Sequence, residues 1–600
     1  MLDSNNLELG IIGNCHSSAL ISRSASINWC CLPEFDSPSV FGKILDYNNG
    51  GSFEIICNKN YNIHQQYLKN TCILLTKFSY GENIFEVYDF MPRYLKKNNN
   101  YHSPAEIIRY FKLISGKPKF EIKYNPKLEY SSCITENIIK DDFIISITKE
   151  INYDSLYLYT DFEKSSVIDG LEIELISDGY FLICYNEKII SPKLNEVFSE
   201  LNRTNKYWTN WCSNTPSFSE YEDEIIRSAI TLKLLTYDKT GAILAAVTTS
   251  IPETIGEVRN WDYRFCWIRD ASMVTRVMHE LGHKNVIKKY LEYIIDLIPD
   301  KGENFQIMYG INREKGLEEK KLNHLAGYKN SKPVRVGNAA FNQMQNDIYG
   351  VLMDVIYTEI KLFSDDKDQH EQLWSITKNV AWVVNDRWMF ADKGIWEFRG
   401  EDRHFTFSKV LCWVAIDRAI KVAKLFNKHK KISKWSILRG NIKNDILQNG
   451  WNNKKKSFTQ SYNSSDLDAS ILLMEPYGFI KANDPKYIST VHCIEKELSN
   501  DGLLFRYKNE DDFGLPSSSF TVCTFWFIDA LNKIGERKKA KKLFDKLLSY
   551  SNHLGLFSED LDFKTKELLG NFPQAYSHLA LIETAMNLNK TKDLKTHDRW

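Results

Sequence analysis

Arg259-Asn260-Trp261-Asp262-Tyr263-Arg264-Phe265-Cys266-Trp267-Ile268-Arg269-Asp270 packs four aromatic rings and five charges into twelve residues, and it stands where the chain changes character. Before it, apolar runs recur at strand length. Phe53-Glu54-Ile55-Ile56, Ile84-Phe85-Glu86-Val87-Tyr88 and Phe143-Ile144-Ile145-Ser146-Ile147 are rich in β-branched and aromatic residues. Turn signals such as Asp46-Tyr47-Asn48-Asn49-Gly50-Gly51 break them, and the pattern predicts a β-sandwich. From residue 221 on, apolar residues recur at about 3.6 positions, and about twelve helical segments follow. They include Tyr221–Tyr237, Ala271–Leu281, Val286–Ile298, Asn338–Phe363, Thr406–Phe426, Pro485–Leu498, Ser519–Ile534 and Pro573–Leu588. Asp484-Pro485 is a capping residue followed by proline at the first helical position. Twelve helices suit six hairpins closed into an (α/α)6 barrel, and no fixed-period repeat favours an open solenoid. The expected organisation is a β-sandwich domain at 1–204, a linker at 205–220 and an all-α barrel at 221–600.

Six hundred residues exceed one ordinary core. Apolar residues at 43% and aromatics at 13% are ample for folding, so this is not a disordered chain. Lys+Arg and Asp+Glu both number 77, and the zero formal charge gives no pull toward nucleic acid or an anionic membrane. A neutral substrate, such as an oligosaccharide or polysaccharide, fits better. Met1-Leu2-Asp3-Ser4-Asn5-Asn6 has neither the basic nor the apolar region of a signal peptide, and no apolar run reaches membrane-spanning length. The twelve cysteines are scattered without a C-x-x-C pair, which reads as reduced thiols in a cytoplasmic protein.

A second stretch, Ile395-Trp396-Glu397-Phe398-Arg399-Gly400, sets one carboxylate between two large rings. Aromatic faces bind the C–H faces of sugars, and fixed Arg/Asp pairs hydrogen-bond hydroxyls. A carboxyl desolvated by rings keeps its proton near neutral pH and serves as a general acid. Glu397 is therefore the candidate acid, with Trp396, Arg399 and His404 as neighbouring substrate contacts. A solvated loop Glu is the plain alternative. A glycosidase needs a second carboxylate, about 6.5–9.5 Å from the first if water attacks directly. Glu559, in Gly555-Leu556-Phe557-Ser558-Glu559-Asp560-Leu561-Asp562, is the candidate, against a merely acidic loop. Arg269-Asp270 reads either as a helix cap or as a fork for two adjacent sugar hydroxyls.

His279-Glu280-Leu281-Gly282-His283 points elsewhere, because it matches the zinc-peptidase pattern. The third ligand of the extended pattern is missing, and Gly282 resembles a helix end that would splay the two imidazoles apart. The pair is read as structural, with no metal or cofactor needed. A P-loop, a dinucleotide fingerprint and a nucleophile elbow are absent from the sequence. The rival classes are a zinc peptidase and a non-catalytic glucan-binding protein.

At these residues the chain resembles glycoside hydrolase family fifteen, the glucoamylases and their trehalase relatives. The resemblance runs from Gly10-Ile11-Ile12-Gly13-Asn14-Cys15 and Ser26–Pro38, through Arg259–Asp270 and Pro333–Ala340, to Ile395–Lys409 and Gly570–His578. It implies a β-supersandwich followed by an (α/α)6 barrel, and hydrolysis with inversion at the anomeric carbon. By the same resemblance, Glu397 is similar to the general acid and Glu559 to the general base. Arg269 and Asp270 are similar to the pair that grips the terminal glucose, beside an aromatic wall of Tyr263 and Trp267. Pro516-Ser517-Ser518-Ser519-Phe520 departs from the family pattern and bears on the outer subsites. The expected activity is that of an exo-acting α-glucosidase of glucoamylase type, with α,α-trehalase on the same scaffold as the alternative.

Overall fold

Two antiparallel sheets face each other across a layer of phenylalanines in the computed structural model, which describes residues 7–149, 154–297, 305–362 and 367–589. The Met1–Asn6 segment, and the ends of the helices expected to reach Ile298 and Phe363, lie outside the described residues. One sheet runs in the order Leu9–Gly13, Ser18–Ser22, Ile27–Cys31, Ser52–Ile56, Lys119–Asn125 and Ile173–Glu174, with Ser39–Phe41 beside Ile27–Cys31. The other has eight strands, in the order Thr135–Ile139, Ile144–Thr148, Ser155–Thr160, Gly179–Tyr185, Glu106–Ser115, Asn83–Phe90, Leu74–Tyr80 and Asn62–Tyr67. Alternation along the strands sends one set of side chains between the sheets. Phe53 meets Phe181 edge to face at 5.3 Å, and Phe120 stacks on Phe85 at 5.5 Å.

Helix α1 (Leu194–Cys212) covers the outer face of the larger sheet through Val197 and Leu201. The stretch expected to be a linker from 205 is therefore helical as far as Cys212. Asn195, Asn202, Thr209 and Asn210 lie on the wet side, while Val197, Leu201, Thr204, Trp208 and Cys212 form a buried stripe at helical spacing.

The barrel follows. Its helices are α2 (Glu222–Leu234), α3 (Ile268–Glu280), α4 (Lys284–Asp296), α5 (Ile348–Leu362), α6 (Lys367–Arg387), α7 (Thr406–Leu425), α8 (His429–Asn449), α9 (Pro485–Leu498), α10 (Thr521–Lys533), α11 (Arg537–Leu548) and α12 (Ala575–Asn589). An inner ring runs α3, α5, α7, the 3-10 turn Ala469–Met474, α10, α12 and back to α3. Helices α4, α6, α8, α9, α11 and α2 back these six in turn. The sequence separates the rings. Inner α7 is buried on almost every side, whereas outer α11 buries only Ala540, Phe544 and Leu547. Asp484 caps α9 by accepting from Lys486 N–H, with Pro485 at the first helical position, as the sequence predicts. One expected helix starts late. Residues 338–347 form a short turn and a strap, because the Asn338 side chain accepts from Ala340 N–H and starts a 3-10 turn instead.

Every connection from an outer helix to the next inner one lies at the end of the barrel where the inner helices begin. Both opening stretches belong to such connections. The sandwich and the barrel share one continuous core. Trp29 Nε1 donates to the Val247 carbonyl at 2.8 Å, Arg93 pairs with Asp238 at 3.0 Å, and Arg227 lies 3.6 Å over the Tyr67 ring.

Candidate active site

The inner-helix ends enclose a pocket lined by Tyr263, Trp267, Arg269, Asp270, Trp396, Glu397 and Arg399, together with Glu253, Trp261, Arg506, Phe513 and Tyr576. Seven sequence-predicted residues thus converge from two distant stretches.

Glu397 sits in the turn before α7, at φ 59°. A non-glycine residue in that left-handed region is strained by roughly 1–3 kcal/mol, a cost found where geometry serves a site. Its Oε1 accepts from Trp267 Nε1 at 2.7 Å and lies 3.4 Å from Arg269 Nη2. The ring bonded to it is therefore not a sequence neighbour. Trp396 gives its indole N–H to buried Asp468, and Phe398 packs on Phe405 and Tyr507.

Glu559 is 1% exposed and comes from the connection before α12. It lies behind the pocket wall rather than in it. Tyr263 O–H donates to its Oε1 at 2.5 Å, and Asn571 N–H donates to Oε2 at 3.2 Å. Gly570, at φ 73°, makes room: a Cβ there would lie 2.6 Å from Oε2. Burial, with the charge of nearby Glu253, pushes the Glu559 carboxyl up to about 8 against the lowering effect of Tyr263. A higher proton affinity makes a stronger base once the group is ionised. Asp560 beside it is also pushed well up, again by burial first and then by Glu253. Tyr263 and Trp267 meet edge to face at 5.4 Å. The two carboxylates are thus anchored to two rings that touch.

Asp270 is the third residue of α3, not its cap, and the α3 N-terminus has no side-chain cap. Its Oδ2 is buried without a hydrogen bond, 3.5 Å from Arg269 Nε. Burial pushes its carboxyl up to about 7. A buried carboxylate oxygen without a donor suits a sugar hydroxyl.

Arg399 lies 4.3 Å over the Trp261 ring, and its N–H donates to Asp512. His404 differs from the expectation. It is exposed, is absent from the pocket lining and stacks on Tyr462 at 5.9 Å. Phe405 N–H folds back to the Arg403 carbonyl at 3.0 Å, a tight turn around His404 that leaves the imidazole outside while Phe405 is buried.

Glu253, Gln345, Asp347, Arg506 and Tyr576 were not singled out from the sequence. Arg506 Nη2 donates to Glu253 at 2.9 Å. The signal for Gln345 and Asp347 was an Asn338 cap that separates them from α5.

The zinc-peptidase pattern comes apart. Helix α3 ends at Glu280, Gly282 takes φ 86°, and His283 turns to stack on Trp211 of α1 at 3.8 Å, with Nε2 3.0 Å from Thr215 Oγ1. Among the described residues, no helix is long and apolar enough to cross a membrane.

Residues 219–586 match the model of Glycosyl hydrolases family 15. The chain belongs to that family. Residues 4–150 match the trehalase-like N-terminal domain. A trehalase of Thermoplasma volcanium is 35% identical over 97% of this chain and 93% of its own. A trehalase of Mycolicibacterium smegmatis is 34% identical over 98% and 91%. A bacterial glucoamylase complexed with acarbose superposes with a TM-score of 0.71 at 13% identity, over 98% of this chain and 94% of that one, and shares the fold. Membership makes this chain a glycoside hydrolase with a carbohydrate substrate.

Proposed function

We propose that this hydrolase is an α,α-trehalase. The observation that carries the reading is that relatives matched along almost their full length are named trehalase, at up to 35% identity. They favour the alternative drawn from the sequence over the glucoamylase-type activity read first.

Glu397 is the general acid. Its carboxyl faces the pocket beside Trp267 and Arg269 and protonates the oxygen between the two glucose units. Glu559 is the general base and works through the Tyr263 hydroxyl, which lines the pocket: the attacking water gives its proton to that hydroxyl as the hydroxyl passes its own to Glu559. Asp270 and Arg269 hold hydroxyls of the glucose that is attacked, against Tyr263 and Trp267. Water entering opposite the leaving group inverts that anomeric carbon. The attacked glucose leaves as the β anomer, and its partner departs with its α configuration intact.

Incubation with trehalose, maltose and maltotriose, followed by a glucose assay, tests the reading. Trehalose should be cleaved fastest. Release of glucose from the malto-oligosaccharides with trehalose untouched would return the chain to the glucoamylase type.

A further inference from the structure

Arg269 has five N–H donors, and the protein occupies most of them. Nε donates to Tyr576 Oη at 3.0 Å. Nη1 donates to Gln345 Oε1 at 2.8 Å and to Asp347 Oδ2 at 3.1 Å. Nη2 reaches only Glu397, at a long 3.4 Å. The guanidinium is thus locked on one side and presents Nη2 to the pocket.

Asp347 is wholly buried. It stands at the end of the 338–347 strap, just before α5. The titratable groups around Arg269 are Asp270 on its own helix, Asp347, Glu397 from the turn before α7, and the Tyr576 hydroxyl of α12. Asp392 lies behind Asp347. The arrangement poses a chemical conflict. A guanidinium favours the ionised form of a carboxyl it faces, yet a general acid must carry a proton. A second carboxylate on the far side of that guanidinium opposes the effect.

We propose that Asp347 is a positioning residue: it fixes Arg269 through Nη1 and offsets its charge, so that Nη2 serves the sugar beside Glu397. The inference rests on the assignment of Glu397 as the acid.

Asp347→Asn keeps the shape and removes the charge. Its kcat/KM on the cleaved disaccharide should fall at least tenfold, about 1.4 kcal/mol. The alkaline limb of its pH profile should move down by roughly one pH unit. Gln345→Leu is the control. It removes the neutral partner of the same Nη1, so activity should fall with the limb unmoved. A merely structural role for Asp347 would lower activity in both variants and move neither limb, and that result overturns the proposal. Asp347→Glu carries the test if the amide variant does not fold. With the charge kept, turnover should drop while the limb stays within about 0.3 pH unit of the parent's. A limb displaced in Asp347→Glu by as much as a full unit also overturns it. A parent protein that cleaves none of the three sugars overturns the functional reading with it. A trehalose-cleaving parent with an unmoved Asp347→Asn limb overturns this inference alone.

Discussion

Replacing Glu559 by Gln should abolish turnover and, near neutral pH, stabilise the protein. The carboxyl is fully buried, and its folded-state value of about 8 lies above the ordinary 4.5. Between those values the folded state binds a proton that the unfolded state has released. Stability contributed by this group is therefore complete below pH 4.5 and is lost as pH rises through 8. Each pH unit above the unfolded value costs about 1.4 kcal/mol, which sets a ceiling of about 3 kcal/mol at pH 7. Glu253 and Asp560 share the same field, so one substitution recovers part of this, about 1.5 kcal/mol. Gln fits the contacts already present. Its amide oxygen accepts from Asn571 N–H, and its NH2 meets a Tyr263 hydroxyl that can turn to accept. Thermal melts of parent and variant across pH 4.5–8 check the sign. The two should melt together at pH 4.5, and at pH 7.5 the variant should melt higher by about 1 °C. Glucose release should drop by about a thousandfold or more. A melting difference independent of pH, or a variant less stable at pH 7.5, would refute the burial argument.

Four further outcomes follow from the same geometry. Glu397→Gln should cost several orders of magnitude in turnover with the melt unchanged, and proton NMR in the first minutes should give equal α- and β-glucose from trehalose with the parent enzyme; α-glucose alone would mean retention and remove the base role from Glu559. Asp270→Asn should damage kcat/KM more than stability, because the residue caps no helix; a large fall in Tm with specific activity kept per folded molecule would reverse that assignment. Converting His279 and His283 to Gln should lower Tm, through loss of the Trp211 stack, and leave glucose release within a few fold; stoichiometric zinc lost in that variant together with peptidase activity would contradict it.

The legible part of the site was contiguous. Arg259–Asp270 places Tyr263, Trp267, Arg269 and Asp270 in one connection and the first turn of one helix, so their density betrayed them. Glu397 and Glu559 were legible by their surroundings in the chain, although the hydrogen bonds that hold them come from Trp267 and Tyr263. Glu253, Asp347 and Arg506 were not legible. Glu253 shares a connection with Arg259–Trp267 but stands outside its dense run, whereas Asp347 and Arg506 come singly from their own connections and only ring closure of the helices brings them near the others. His404 went astray for a local reason, since a tight turn from Arg403 to Phe405 leaves it outside. The inner and outer rings were readable from apolar periodicity. The 3-10 turn Ala469–Met474, which takes the fourth place in the inner ring, is too short to show a period.

The continuous core has a consequence for the portability of the catalytic part. Hydrophobic side chains from Leu7 to Leu588 belong to one cluster, and the sandwich closes one side of it. Trp29 and Tyr67 are as much a floor for the helical ring as for their own sheet, through Val247 and Arg227. A chain cut at the end of α1 would expose that floor to water and leave Arg227 and the Val247 carbonyl without their partners. The catalytic ring is thus no cassette to be lifted out and grafted. It shares its core with the sandwich, so the two parts should melt as one unit.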